Sequence, residues 1–210
     1  MSGGGKDGDD AAGTGIEIIE RRTAYKGFFR IDVVRLRHRL FGGGWSPVFR
    51  REVFERGTAA AVLPYDPARD EVVIVEQFRL PAHLGGYRAW QLEVVAGIVD
   101  KEGESGADVV RREAREEAGL DLLDLVPMHR FLVSPGGTTE VLDLYCGRVD
   151  SSNAGGIFGL PDEHEDIRAV VKPWDEVLSL LRNGGIENGF TLLALYWLMA
   201  HREDLRRRWA

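Results

Sequence analysis

Apolar and polar residues alternate with a period of two over much of the first half of the chain. In residues 16–40, Ile31 and Val33 share one strand face with Arg35 and Arg37, while Val34, Leu36 and His38 share the other. A glycine-rich turn at 41–44 follows, and 48–54 (VFRREVF) reads as the return strand. Residues 57–63 (GTAAAVL) and 71–78 (EVVIVEQF) are strands joined by a turn, PYDPARD, with two prolines and two aspartates. Residues 80–87 read as a loop, and 90–96 (WQLEVVA) as a strand running straight into Gly97. The period then changes. Ser105 is placed to cap a helix with Asp108 three residues on, and Gly119 to stop it. Residues 122–133 and 141–149 are strand-like, with a polar turn at 134–140 between them. After a glycine-rich stretch at 151–160 come a last strand at 167–172, a helix at 173–181 with Pro173 at its first position, and a helix from Gly189 to Arg208. In that last helix Phe190, Leu193, Leu195, Trp197 and Leu198 form a broad apolar stripe suited to core packing or to a dimer contact. Residues 1–15, rich in Gly and Asp, read as a disordered tail.

At 210 residues, 44% hydrophobic and 29% charged, the chain suits one domain with a modest extension. Its one cysteine, Cys146, lies in a strand-like run and reads as a small core residue rather than a nucleophile. No signal peptide opens the chain and no apolar run reaches membrane-spanning length, so no membrane role and a cytoplasmic location are expected. The net charge of −7 argues against nonspecific nucleic-acid binding. An enzyme acting on phosphates would then have to draw its attraction from metals and a few arginines.

Candidate chemistry gathers in GIVDKEGESGADVVRREAREEAGL, residues 97–120. Glu113, Glu116 and Glu117 stand at i, i+3 and i+4, so their carboxylates leave one helix face, where like charges repel. Arg111, Arg112 and Arg115 could neutralise them as an ordinary solvated face. Alternatively they are hard oxygen ligands for Mg²⁺, with Mn²⁺ as a substitute. The acidic run 161–166 (PDEHED) is either solvent-facing or a source of a general base, and the adjacent Phe28 and Phe29 are either core or a stacking surface for a base.

The central stretch resembles the Nudix box, Gly-x5-Glu-x7-Arg-Glu-U-x-Glu-Glu-x-Gly-U, where U is apolar or small. Gly97, Glu104, Arg112, Glu113, Ala114, Glu116, Glu117, Gly119 and Leu120 fall on that pattern. Six residues rather than five separate Gly97 from Glu104, and the extra one falls in the loop at 100–103. The stretches KGFFRIDVVRLRHRLF, RREVFERGTAAAVLPYDPARDEVVIVEQFR, LVSPGGTTE and LPDEHEDIR extend the resemblance, from about Thr23 to the C-terminus, to the bacterial ADP-ribose pyrophosphatase branch of that superfamily. The resemblance implies an α+β Nudix fold, a mixed β-sheet sandwiched between helices. A small N-terminal antiparallel sheet domain at 16–56 would dimerise, and the hydrolase domain would occupy 57–210. It implies metal ligands at the Ala96 carbonyl, Glu113, Glu116 and Glu117, a catalytic base at Glu163 and a second acidic residue at Glu165. Arg112 would position a box carboxylate. Arg51 and Arg79 would bind substrate, Glu140 the terminal ribose, and Phe28 the adenine. The implied activity is Mg²⁺-dependent hydrolysis of ADP-ribose in a homodimer with shared sites. The alternatives are another nucleoside diphosphate sugar, such as GDP-mannose or ADP-glucose, or a non-catalytic ADP-ribose sensor.

Overall fold

The computed structural model describes residues 15–210, so most of the expected N-terminal tail lies outside the described residues. The described chain divides into two compact units. One runs up to Gly57 and includes Leu132–Glu140; the other is built from Thr58–Phe131 and Val141–Ala210.

The smaller unit is an antiparallel sheet in the order β1 (Ile16–Lys26), β2 (Arg30–His38), β3 (Phe49–Glu55). Asp32 of the central strand is buried and draws Arg21 and Thr23 across from β1, at 2.7 and 3.0 Å. The 134–140 segment does more than turn. The Phe54 N–H donates to the Gly137 carbonyl and the Thr139 N–H to the Phe54 carbonyl, so it lies alongside β3.

The larger unit holds a mixed sheet whose hub is β4 (Thr58–Asp66). Its main path runs β10 (Gly156–Phe158), β11 (Ile167–Pro173), β5 (Glu71–Phe78), β4, β9 (Val141–Arg148), β8 (Asp124–Leu132). The β4–β9 pair is parallel, and β4 pairs antiparallel with β5. β4 is buried on both faces. Ala60 and Val62 cluster with Val109, Val110 and Ala114 of helix α2 (Gly106–Ala118). Leu63 and Tyr65 point the other way, as strand alternation requires. There the Tyr65 hydroxyl donates to Asp70, which also pairs with Arg202 of α4 (Gly189–Arg208). Helices thus cover both faces, as the sequence led us to expect. The buried stripe of α4 is Thr191, Ala194, Leu195, Leu198 and Leu205, with Phe190 only half-buried against Phe131.

Four local expectations need correction. First, the PYDPARD turn shrinks, because β4 continues through Pro64 to Asp66. A proline inside a central strand normally removes a ladder hydrogen bond. Here Pro64 sits where the β4 edge passes from β7 (Val95–Ile98) to β5, and neither pairs with it. Second, residues 90–96 form two strands. β6 (Trp90–Glu93) pairs with β5 and β7 with β4, and between them the Val94 N–H leaves the ladder for the Thr191 hydroxyl at 3.0 Å. Third, the loop at 80–87 contains a short helix, α1 (Leu80–Leu84), and the glycine-rich stretch at 151–160 contains the strand β10. Fourth, Pro173 precedes α3 (Trp174–Arg182) as its cap, in extended backbone, rather than occupying its first turn.

Candidate active site

Helix α2 forms as its sequence dictates. Ser105 and Asp108 make a reciprocal capping box, and Gly119 ends the helix in the left-handed conformation at φ 64°. The extra residue after Gly97 is absorbed by a turn closed by the Glu104 N–H on the Lys101 carbonyl, with Gly103 at φ 81°. Glu104 therefore still reaches Arg112.

The helix lies against β7 so closely that a Cβ on Gly97 would fall 2.0 Å from Glu113 Oε1. Only glycine leaves that carboxylate room against the strand. One turn on, Glu117 is 3% exposed and accepts from the Ala96 N–H at 3.2 Å. Burial pushes the Glu113 carboxyl up to about 7, with the Glu116 and Glu165 charges adding to it against the pull of Arg112. Burial likewise pushes Glu117 up to about 8, helped by Glu113 and Glu165 and opposed by the Ala96 N–H and Arg79.

Arg112 is the local counter-charge. Its Nη1 donates to Glu113 Oε1 at 2.6 Å and to Glu116 Oε2 at 3.1 Å, and its Nε to Glu104 Oε1 at 3.2 Å. The other Glu104 oxygen is buried without a partner. Among the described residues no three acidic, histidine or cysteine side chains form a ready-made metal cage. Nevertheless, the residues present fit a hard divalent cation. One arginine serves three carboxylates, Glu117 has a single backbone donor, and added positive charge would relieve the cost of burying them.

The acidic loop is moored to the same helix. The Gly159 N–H donates to the Glu116 carbonyl at 3.3 Å, and Glu165 folds back to accept from the Leu160 N–H at 3.2 Å. Glu163 ends a 3-10 turn (Pro161–Glu163) and His164 follows at φ 57°. The Glu163 side chain lies outside the described residues.

Arg79, at the end of β5, is also directed by a carboxylate. Its Nε and Nη2 grip Glu93 of β6, the shortest contact being 2.7 Å. Burial would lower the guanidinium's pKa, but Glu93, Glu117 and Glu165 together raise it.

In the smaller unit, Phe28 is almost fully exposed and packs edge-on against Phe29, with ring centroids 4.7 Å apart. Arg51 is exposed and lies over the Phe49 ring. Glu140 is buried and accepts from Arg56 Nη2 at 3.1 Å, while the Arg56 guanidinium covers the Phe29 ring at 4.4 Å.

A NUDIX domain model matches residues 55–191. The chain belongs to the Nudix family. The ADP-ribose pyrophosphatase of Escherichia coli strain K12 is 49% identical over 195 residues, covering 93% of both chains. That of Haemophilus influenzae is 41% identical, covering 92% of this chain and 90% of the relative. A GDP-mannose pyrophosphatase of Escherichia coli O1:K1 is 34% identical over 74% of this chain and 81% of its own. A solved structure described as an ADP compounds hydrolase aligns over 92% of this chain and 95% of its own, with a TM-score of 0.67 and 20% identity, which speaks for the fold alone.

Within this Nudix chain the structure gathers Ala96, Arg112, Glu113, Glu116 and Glu117 around the β7–α2 junction, with Glu165 in the loop moored to it. Phe28, Arg51 and Glu140 belong to the other unit. Sequence reasoning passed over two side chains, Glu93 and Arg56. Glu93 carried a signal, being an acidic residue in an otherwise uncharged strand stretch, WQLEVVA. Arg56 carried none, since its partners lie 27 and 84 positions away.

Proposed function

We propose that this Nudix chain hydrolyses the diphosphate linkage of ADP-ribose to AMP and ribose 5-phosphate, with Mg²⁺ or, in its place, Mn²⁺. The observation that carries the reading is the 49% identity, over 93% of both chains, to a relative named ADP-ribose pyrophosphatase. Glu113, Glu116, Glu117 and the Ala96 carbonyl would hold the cations. Bound there, Mg²⁺ would supply neutralisation of the diphosphate charge and a lowered pKa for water. The chain's own residues do the rest. Glu163 takes the proton from the attacking water as its oxygen bonds to phosphorus and the bridging P–O bond breaks. Glu165 adds a second acidic group beside it. Arg112 holds Glu113 and Glu116 in place. Arg79 and Arg51 offer forked donors to phosphate oxygens, Glu140 a contact to the terminal ribose, and Phe28 a stacking face for adenine.

Residues 16–56 would form the dimerisation domain of a homodimer whose sites draw on both subunits, acting in the cytoplasm on a small nucleotide sugar rather than on nucleic acid or membrane. Mixing inactive Glu163→Gln and Arg51→Ala chains is expected to restore part of the activity. No recovery after verified subunit exchange would assign each site to one chain.

The primary test is hydrolysis of ADP-ribose, ADP-glucose, GDP-mannose and a nucleoside triphosphate with Mg²⁺, with products separated by chromatography. Preference for ADP-ribose is expected. The likeness to a GDP-mannose pyrophosphatase, 34% over 74% of this chain, favours a second reading, which preference for GDP-mannose would establish. ADP-ribose binding without turnover of any compound would leave a sensor.

A further inference from the structure

The buried carboxylate of Glu93 has no place in the scheme above, yet it is among the most fully hydrogen-bonded side chains in the larger unit. It is 5% exposed, and donors from three residues meet on its two oxygens. From the end of β5, Arg79 Nε reaches Oε2 at 3.0 Å and Oε1 at 3.2 Å, and Arg79 Nη2 reaches Oε2 at 2.7 Å. Gln77 Nε2, itself buried, donates to Oε2 at 3.1 Å. From the start of α4, Asn188 Nδ2 donates to Oε1 at 3.0 Å.

The socket is rigidly held. Asn188 Oδ1 caps α4 by accepting from the Phe190 and Thr191 N–H groups at 2.9 and 3.1 Å, and the Thr191 hydroxyl accepts from the N–H of Val94, next to Glu93, at 3.0 Å. A long helix thus braces the carboxylate directly and through its chain neighbour. An ion pair with its carboxylate buried is a poor source of stability, since apolar groups of the same volume often do as well. What it supplies is direction. Arg79 remains 45% exposed, and its Nη1 has no partner among the described residues. The edge turned toward Glu93 is therefore fixed, and the other carries none of these contacts.

We infer that Glu93, with Gln77 and Asn188, is a positioning residue that locks the Arg79 guanidinium in one orientation and presents its Nη1 edge to a diphosphate oxygen. This rests on the reading of Arg79 as a phosphate contact. A forked donor held in advance loses less freedom on binding than one that must be found among rotamers. Loss of Glu93 should therefore weaken substrate capture rather than the chemical step.

The test is a double-variant cycle on the full chain, with kcat and KM measured for ADP-ribose under Mg²⁺ and the Arg79 Nε–H signal followed by NMR without ligand. Glu93→Gln is expected to raise KM about ten-fold with kcat within about three-fold, the pattern of lost uniform binding. Arg79→Ala is expected to raise KM at least as much. In the combined variant KM should lie within about two-fold of Arg79→Ala alone, because a residue acting through Arg79 has nothing left to act on. The Arg79 Nε–H signal, identified by its loss in Arg79→Lys, should exchange slowly in the parent and fast in Glu93→Gln. Multiplying KM effects, or an unchanged Nε–H signal in folded Glu93→Gln, would overturn the inference, as would a KM within two-fold of the parent. If the parent does not hydrolyse ADP-ribose, the functional reading fails. The NMR arm then still decides whether Glu93 fixes Arg79.

Discussion

Asp66 and Glu117 are both carboxylates in the larger unit and nearly equally buried, at 2% and 3% exposure, yet their environments shift them in opposite directions. Burial pushes both up. At Asp66 the backbone N–H groups of Ser151, Arg69 and Ala68 and the Ser151 hydroxyl outweigh it and hold the carboxyl below the ordinary aspartate value. At Glu117 one N–H, from Ala96, faces the added charge of Glu113 and Glu165, and the carboxyl rises to about 8. Burial alone therefore does not mark a site. What separates them is how deeply each lies and whether the fold supplies the donors that a buried anion needs. Asp66 is finished by the protein and organises the 66–70 turn; Glu117 is left for something else to complete.

The largest effect that would break this contrast is catalytic. Glu117→Gln is expected to lower Mg²⁺-dependent turnover by about a thousand-fold or more while the fold persists, as kinetics and circular dichroism would register. Activity within ten-fold of the parent would remove Glu117 from the ligand set. Asp66→Asn is expected to do the opposite. It should leave kcat unchanged but cost about 2–3 kcal/mol, because the amide cannot accept all the converging donors. For a chain of this size that is a fall of roughly 5–10 °C in Tm. A Tm within 2 °C of the parent would show that Asp66 is not the keystone described.

The contrast also shows in the pH dependence of stability without metal. Glu113 and Glu117 titrate in the folded state at about 7 and 8, above the ordinary 4.5, so the folded state binds more protons than the unfolded chain across that interval. Their contribution is present at low pH and lost as pH rises through those values. Asp66, shifted downward, contributes above the ordinary 3.8 and loses its share as pH falls below it. In metal-free protein Tm should therefore decline between about pH 5 and about pH 8.5, decline less in Glu117→Gln, and recover at the upper pH on adding Mg²⁺. A Tm insensitive to Mg²⁺ at about pH 8.5 would deny that cations relieve these carboxylates.

The sequence by itself determined the helix and its chemistry. Ser105, Asp108 and Gly119 fix where α2 begins and ends through bonds spanning only a few residues, and the i, i+3, i+4 spacing of Glu113, Glu116 and Glu117 follows from helix geometry alone. The two-residue alternation likewise made the strands legible, including the small antiparallel sheet. Contacts between distant residues decided what remained. Pro64 lies inside β4 because two partner strands leave a gap beside it, and residues 90–96 split because Thr191, 97 positions away, takes the Val94 N–H. Glu116 is less buried than Glu117, whose carboxylate is turned to the Ala96 N–H of β7. Local spacing sets which groups can act together. Which of them is buried, braced or left short of partners depends on surfaces that only the folded chain brings together.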